Sequence, residues 1–215
     1  MIYKKFFREY GACYRILPGS KREIPLPPPP QFLQTDDLGS PLVGFVSLYP
    51  WEGEYLFHVA RRARLGILEI GRFKGGSTFL LACAAPKVPI YSIDCAPQDD
   101  ERLQQIFKET GQGRRVNLIV GDSQHGRFPS VGPYDVLFID GDHSYDGVAA
   151  DISNWYGGLA KNGHMLFHDS HKRGVQDAIA DFITAHPEAQ VLLTPFMGPS
   201  YWENPHGSLA HLIKR

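Results

Sequence analysis

From about residue 51 onward the chain alternates between helical apolar stripes and short apolar runs. Tyr55, Leu56, Val59, Ala60 and Ala63 recur at helical spacing, and Ile67-Leu68-Glu69-Ile70 then reads as a strand. Ile90-Tyr91-Ser92-Ile93, Val116 to Val120, Val136 to Ile139 and Met165-Leu166-Phe167 predict four more strands. Helices fall between them. Phe79 to Ala82 belong to one, and Leu103, Ile106 and Phe107 mark another that ends at Gly111, where glycine can take a left-handed cap. Val148, Ile152, Trp155 and Leu159 form a third stripe, and Val175, Ala178, Ile179, Phe182 and Ile183 a fourth. Two β-rich runs, Val191 to Thr194 and Leu209 to Ile213, close the chain with no helix between them, so they can pair antiparallel. Strands alternating with helices predict an α/β fold. Its sheet is doubly wound, seven-stranded and mostly parallel, with an antiparallel last strand.

The pattern breaks before residue 50. Eight of the 17 prolines lie in the first fifty residues, five of them in IPLPPPPQFL, which predicts an extended polyproline arm. Residues 1–50 therefore read as a proline-rich arm or lid, a spacer or a route to a homo-oligomer, and residues 51–215 as one domain. At 215 residues there is room for one generous core. A formal net charge of -1 leaves no electrostatic footprint for nucleic acid. No apolar run approaches the ~18–20 residues of a membrane span, and the N-terminus lacks the pattern of a signal peptide. Three cysteines without C-x-x-C spacing argue against a disulfide framework, and a cytoplasmic location is expected. The unusual feature is histidine: five of nine (His125, His143, His164, His168, His171) fall in one stretch.

Ligands of open parallel sheets bind beyond the carboxyl ends of the strands, so the residues there carry the candidate chemistry. The first strand runs into Gly71-Arg72-Phe73-Lys74-Gly75-Gly76-Ser77, a turn that lets a ligand approach the backbone. Its spacing is neither G-x-G-x-x-G nor a P-loop, and Glu69 just before it would repel a pyrophosphate. The next four strands end in Asp94, Gly121-Asp122-Ser123, Asp140-Gly141-Asp142-His143 and His168-Asp169-Ser170-His171. Any one of these aspartates can be a turn or helix cap. Four on one sheet edge suit a ligand bearing positive charge and hydroxyls, with Asp94 placed for a ribose.

The series ILEIGRFKGGST, IYSID, LIVGDS, YDVLFIDGDHSYDGV and KNGHMLFHDSH resembles class I S-adenosylmethionine-dependent methyltransferases, which are Rossmann-like. More narrowly it is similar to the group that includes macrolide-sugar O-methyltransferases and cephalosporin-hydroxylase-type proteins. The resemblance implies that Glu69 and Gly71 face the methionine end of the cofactor, that Gly75 and Ser77 line the turn, and that Asp94 holds the ribose. Asp122 and Ser123 would meet the adenine. Asp140, His168 and Asp169 match positions that bind a divalent cation in metal-dependent members, although the histidine departs from the commonest carboxylate or Asn pairing.

Two carboxylates and an imidazole from adjacent strand ends can converge on Mg²⁺ or Mn²⁺, with Fe²⁺ or Zn²⁺ as alternatives, and such an ion acidifies a bound hydroxyl. His143 is a candidate general base, since imidazole titrates near neutral pH, with Asp140 beside it. His171 is a poorer candidate; His125 and His164 read as surface or turn residues. The aromatic loop Phe196 to His206 can wall an acceptor or simply anchor itself. The reading is an O-methyltransferase acting on a hydroxyl of a sugar or natural-product intermediate. The rivals are a metal-dependent hydrolase or hydroxylase-like enzyme and a non-catalytic cofactor-binding domain.

Overall fold

Strand β1 (Ile67–Ile70) is buried along its whole length, as expected of a central strand whose two faces are both covered. It pairs in parallel with β2 (Ile90–Asp94) on one side and β4 (Tyr134–Ile139) on the other. β3 (Val116–Val120) extends the sheet beyond β2, and β5 (Leu159–His168) lies parallel to β4. β7 (Leu209–Ile213) then inserts antiparallel between β5 and β6 (Gln190–Leu193), giving the order β3-β2-β1-β4-β5-β7-β6. The direction reverses between β1 and β4, which makes the carboxyl ends of these strands the crevice of the fold. This computed structural model describes residues 46, 48, 50–126, 128–193 and 209–215. Nearly all of the proline-rich arm (1–50) and the whole of the aromatic loop (196–206) lie outside them.

Alternate residues of each central strand feed two cores. Ile67, Ile90, Phe138 and Leu166 pack with α1 (Pro50–Ala60), α2 (Gly76–Ala84) and α3 (Asp100–Glu109), through side chains such as Leu56, Phe79 and Ile106. Leu68, Leu137, Met165 and Phe167 pack on the other face with α4 (Tyr145–Trp155) and α5 (Arg173–Ala185), through Val148, Trp155 and Ile179. Among the described residues no helix is long and apolar enough to cross a membrane.

Two boundaries differ from the pattern. Leu159 belongs to β5 and not to the preceding helix, because a 3₁₀ turn at Tyr156–Gly158 ends α4 first and Leu159 then pairs with Tyr134. α1 starts at Pro50, ahead of the apolar stripe; proline in a first helical turn gives up no hydrogen bond. That extra turn carries Glu52 into the fold.

Candidate functional site

The β4–β5 register sets Ile139 beside Phe167, so the next residues, Asp140 and His168, stand side by side at the carboxyl ends of the two strands. A cleft of about 460 Å³ opens over these strand ends. Gly71, Ser77, Asp94, Asp122, Ser123, Asp140, His143, His168 and Asp169 all line it, so most of the residues singled out in the sequence meet in one place. Gly71 is there for a steric reason. Its φ is +82°, and a Cβ would stand 2.1 Å from the Asp140 carbonyl oxygen, so the ends of β1 and β4 can touch only through a glycine.

Two expected residues do not reach the cleft. Glu69 is fully buried and is bonded behind the turn by Thr78 Oγ1 (2.5 Å) and Ser92 Oγ (2.6 Å). Burial pushes its carboxyl up to about 7, against the lowering effect of hydrogen bonds from Ser77, Ser92 and Thr78. Glu69 thus braces the start of α2 from behind the turn. Gly75 is the N-cap of α2 and faces Leu103.

Around the turn, the Asp94 carboxylate accepts from the backbone N–H groups of Arg72 (2.9 Å), Phe73 (2.9 Å) and Ala96 (2.7 Å). Arg72, unnoticed in the sequence, turns inward. Its guanidinium forms a fork with Asp100 (2.8 and 2.6 Å) and donates to the carbonyls of Ser92 and Ile119 (both 2.9 Å). At the end of β3, Asp122 accepts from the Gln124 N–H and pairs with His125, which keeps its carboxyl below the usual range. The Ser123 hydroxyl donates to buried Asp151 (2.6 Å), whose carboxyl burial pushes up to about 6.

The other end of the cleft holds a charged network. His168 Nδ1 meets Asp140 Oδ1 at 2.9 Å, and His168 Nε2 meets Glu52 Oε2 of α1 at 3.1 Å. Burial pulls the imidazole pKa down, yet Asp140 and Glu52 outweigh it and hold it well above the usual histidine value. Burial likewise raises Asp140, but His168 and His143 bring it below the usual carboxylate range. Both His168 nitrogens thus face carboxylates, one on Asp140 and the other on Glu52. Of the expected set Asp140, His168 and Asp169, His168 stands 2.9 Å from Asp140 Oδ1 and 3.9 Å from Asp169 Oδ2.

Among the described residues, Asp140, His143 and Asp169 are those whose potential ligand atoms converge, all lying within 4.8 Å of one another. His143 Nε2 is 3.2 Å from Asp169 Oδ2 and 3.8 Å from Asp140 Oδ1. Lys172, just beyond the His168–His171 strand-end segment, enters the same cluster, 2.7 Å from Asp169 Oδ2 and 2.8 Å from His143 Nδ1. Asp169 and Phe73, both on the cleft, hold left-handed backbone angles (φ 51° and 50°), strain of the kind that gathers at functional sites. Of the other histidines, His125 is exposed as expected and His171 is buried near Asp169. His164 is not a turn residue: it joins a chain through His211 (2.9 Å) to the Tyr55 hydroxyl (2.7 Å).

The open α/β sheet, with a glycine turn and acidic strand ends at its switch point, has the Rossmann-like architecture found in methyltransferases of known structure. Residues 68–170 match the family model described as a methyltransferase domain. The fold is similar to the O-methyltransferase NovP (TM-score 0.62, 12% identity, 85% of this chain and 87% of that one). It is also similar to the O-methyltransferase TomG of Streptomyces achromogenes, involved in tomaymycin synthesis and solved with S-adenosylmethionine (TM-score 0.57, 18% identity, 79% and 82%). In sequence it is 32% identical over 124 residues, 54% of its length, to uncharacterized protein R132 of Acanthamoeba polyphaga mimivirus. It is 25% identical over 168 residues, 70% of its length, to uncharacterized protein y4gI of Sinorhizobium fredii. The chain spans 56% of the first of these relatives and 18% of the second.

Proposed function

We propose that the protein is an S-adenosylmethionine-dependent O-methyltransferase acting on a hydroxyl of a small molecule, a sugar or natural-product intermediate. The observation that carries this reading is the single cleft that runs from Asp122 and Ser123, past Asp94 and Gly71, to Asp140, His143 and Asp169. Adenine sits at Asp122 and Ser123 in this proposal, and Asp94 takes the ribose hydroxyls. The α2 N-terminus at Gly76 and Ser77 faces the amino-acid carboxylate, where free N–H groups and the helix dipole favour an anion. Gly71 lets the sulfonium pass over the backbone. The acidic edge suits the cofactor's positive charge. The natural-product end of the proposal draws on the likeness to TomG.

At the far end the acceptor hydroxyl attacks the sulfonium methyl in line. An O–CH₃ bond forms, the S–CH₃ bond breaks with its electron pair passing to sulfur, and the hydroxyl proton goes to the cluster. His143 is the proposed base, taking the proton on Nδ1 when the acceptor hydroxyl displaces the Lys172 ammonium from that nitrogen, with Asp140 the carboxylate facing Nε2. Asp140 itself is held low by its imidazole neighbours and is the weaker proton acceptor. The protein's main contribution is alignment of the two reacting atoms.

A second reading is favoured by the convergence of Asp140, His143 and Asp169. With Lys172 withdrawn from Asp169 and His143, these three would hold a divalent cation, Mg²⁺ or Mn²⁺ first, Fe²⁺ or Zn²⁺ after them. Such an ion would acidify the acceptor hydroxyl.

Calorimetric titration with S-adenosylmethionine and with NAD⁺, followed by labelled methyl transfer to a panel of sugars and phenols, tests the proposal. Heat with the first ligand and label in an acceptor are expected. Binding of NAD⁺ with no response to S-adenosylmethionine would sink it.

A further inference from the structure

The cluster that could hold a divalent ion already contains a cation. Lys172 Nζ stands 2.7 Å from Asp169 Oδ2 and 2.8 Å from His143 Nδ1, hydrogen-bond distance to both. Lys172 is the N-cap residue of α5, and it makes no side-chain cap bond. A positive charge at a helix N-terminus opposes the helix dipole, so local structure does not explain a lysine there. What holds it is the site. The Lys172 N–H donates to the Asp169 carbonyl oxygen (2.8 Å), closing a tight turn around the strained Asp169 backbone. Gly174 lets the same helix start press against the His143 loop, since a Cβ there would stand 2.4 Å from the His143 carbonyl oxygen. The ammonium is thus delivered to the cluster by the backbone on both sides.

Its chemistry conflicts with a resident metal. An ammonium is a donor only, so His143 Nδ1 accepts from it and the ring proton lies on Nε2. Nε2 is the atom that faces Asp140 and Asp169 and would have to ligate. Metal-bound histidines show the opposite arrangement, with the remote nitrogen donating to an acceptor. Asp169, for its part, already has a full positive charge at contact distance. His168 is unavailable because both of its nitrogens face carboxylates.

We infer that Lys172 is the built-in cation of this site, a positioning residue that neutralises Asp169, orients His143 and excludes a divalent ion from the Asp140, His143 and Asp169 cluster. It supplies positive charge beside the acceptor end, the service an ion would otherwise perform. The inference takes the name of that end from the proposed methyl transfer, but its test needs neither cofactor nor acceptor, so the two fail separately.

Mn²⁺ binding to the cofactor-free protein, followed by the loss of the free-ion electron paramagnetic resonance signal, gives the decision. Wild type and Lys172→Arg should bind Mn²⁺ no more tightly than Asp169→Asn. Lys172→Ala should gain affinity by about tenfold or more. That gain should vanish when Asp169→Asn is added. A readout independent of any variant is the ¹⁵N-labelled imidazole spectrum of the wild-type protein, in which His143 should carry its proton on Nε2. Wild-type Mn²⁺ binding tighter than that of Asp169→Asn, no gain in Lys172→Ala, or a His143 proton on Nδ1 would each overturn the inference.

Discussion

Glu52 and His168 are 116 positions apart in sequence and 3.1 Å apart in the fold. The contact joins α1, which precedes the sheet, to the end of β5, and both side chains are largely withdrawn from water. His168 is thereby bracketed, with Asp140 on its other nitrogen. Two carboxylates around one imidazole make a charged unit whose members depend on one another. Removing one partner leaves the rest under-compensated in a buried setting.

Glu52→Ala should therefore destabilise the protein by about 1.5–3 kcal/mol, the range for hydrogen bonds to charged groups. Urea denaturation followed by circular dichroism checks this. An unchanged midpoint would mean that α1 is held by its apolar face alone.

Gly71→Ala should cost more and act at a different level. A Cβ at 2.1 Å from the Asp140 carbonyl oxygen forces β1 and β4 apart at the cleft. The φ of +82° adds left-handed strain of about 1–3 kcal/mol. Loss of the calorimetric response to S-adenosylmethionine is expected. Gly111→Ala is the control: its φ is +72°, but a Cβ there meets nothing within 4 Å. It should lower stability by about 1–2 kcal/mol and leave the cofactor titration intact. Equal effects from the two substitutions would remove the steric argument.

Asp94→Ala tests the ribose assignment together with the turn. Its carboxylate gathers three backbone N–H groups, two of them from the glycine turn. Losing this acceptor and one or two ligand hydrogen bonds should weaken S-adenosylmethionine binding by about ten- to hundredfold. A titration curve that matches wild type would place the ribose elsewhere.

The strand ends were legible because parallel β-strands have a simple code: a short apolar run, then whatever the fold presents to a ligand. Asp94, Asp122, Asp140 and Asp169 all follow that code, and the structure collects them on one cleft. Glu52, Lys172 and Arg72 do not follow it. Glu52 lies on a helix ahead of the first strand, and no spacing rule ties it to His168. Lys172 carried one unused signal, a cation at a helix N-cap against the dipole. Arg72 looks like a solvent-facing loop residue in sequence, yet its side chain is buried against Asp100. Glu69 shows the converse limit. A strand-end position says which edge a residue occupies but not which side of the sheet its side chain takes, and Glu69 takes the α2 side.

That burial of Glu69 has a pH signature. Its carboxyl rises from an ordinary 4.5 to about 7, chiefly through burial, with Asp140 adding to the rise and the hydroxyls of Ser77, Ser92 and Thr78 opposing it. The folded state therefore holds this proton more tightly than the unfolded chain. The stability it contributes is complete below pH 4.5 and is lost as pH rises through about 7. Within that window the unfolding free energy should fall with a slope approaching about 1.4 kcal/mol per pH unit from this group alone. Asp151 acts in the same direction between 3.8 and about 6, so the wild-type curve by itself does not isolate Glu69. Glu69→Gln does. The amide oxygen can still accept from Thr78 and Ser92, and nothing titrates at that position. Urea midpoints measured from pH 4.5 to 7.5 should converge at the acidic end and favour the variant progressively toward neutrality. Two parallel curves would show that the Glu69 carboxyl has the same proton affinity folded and unfolded.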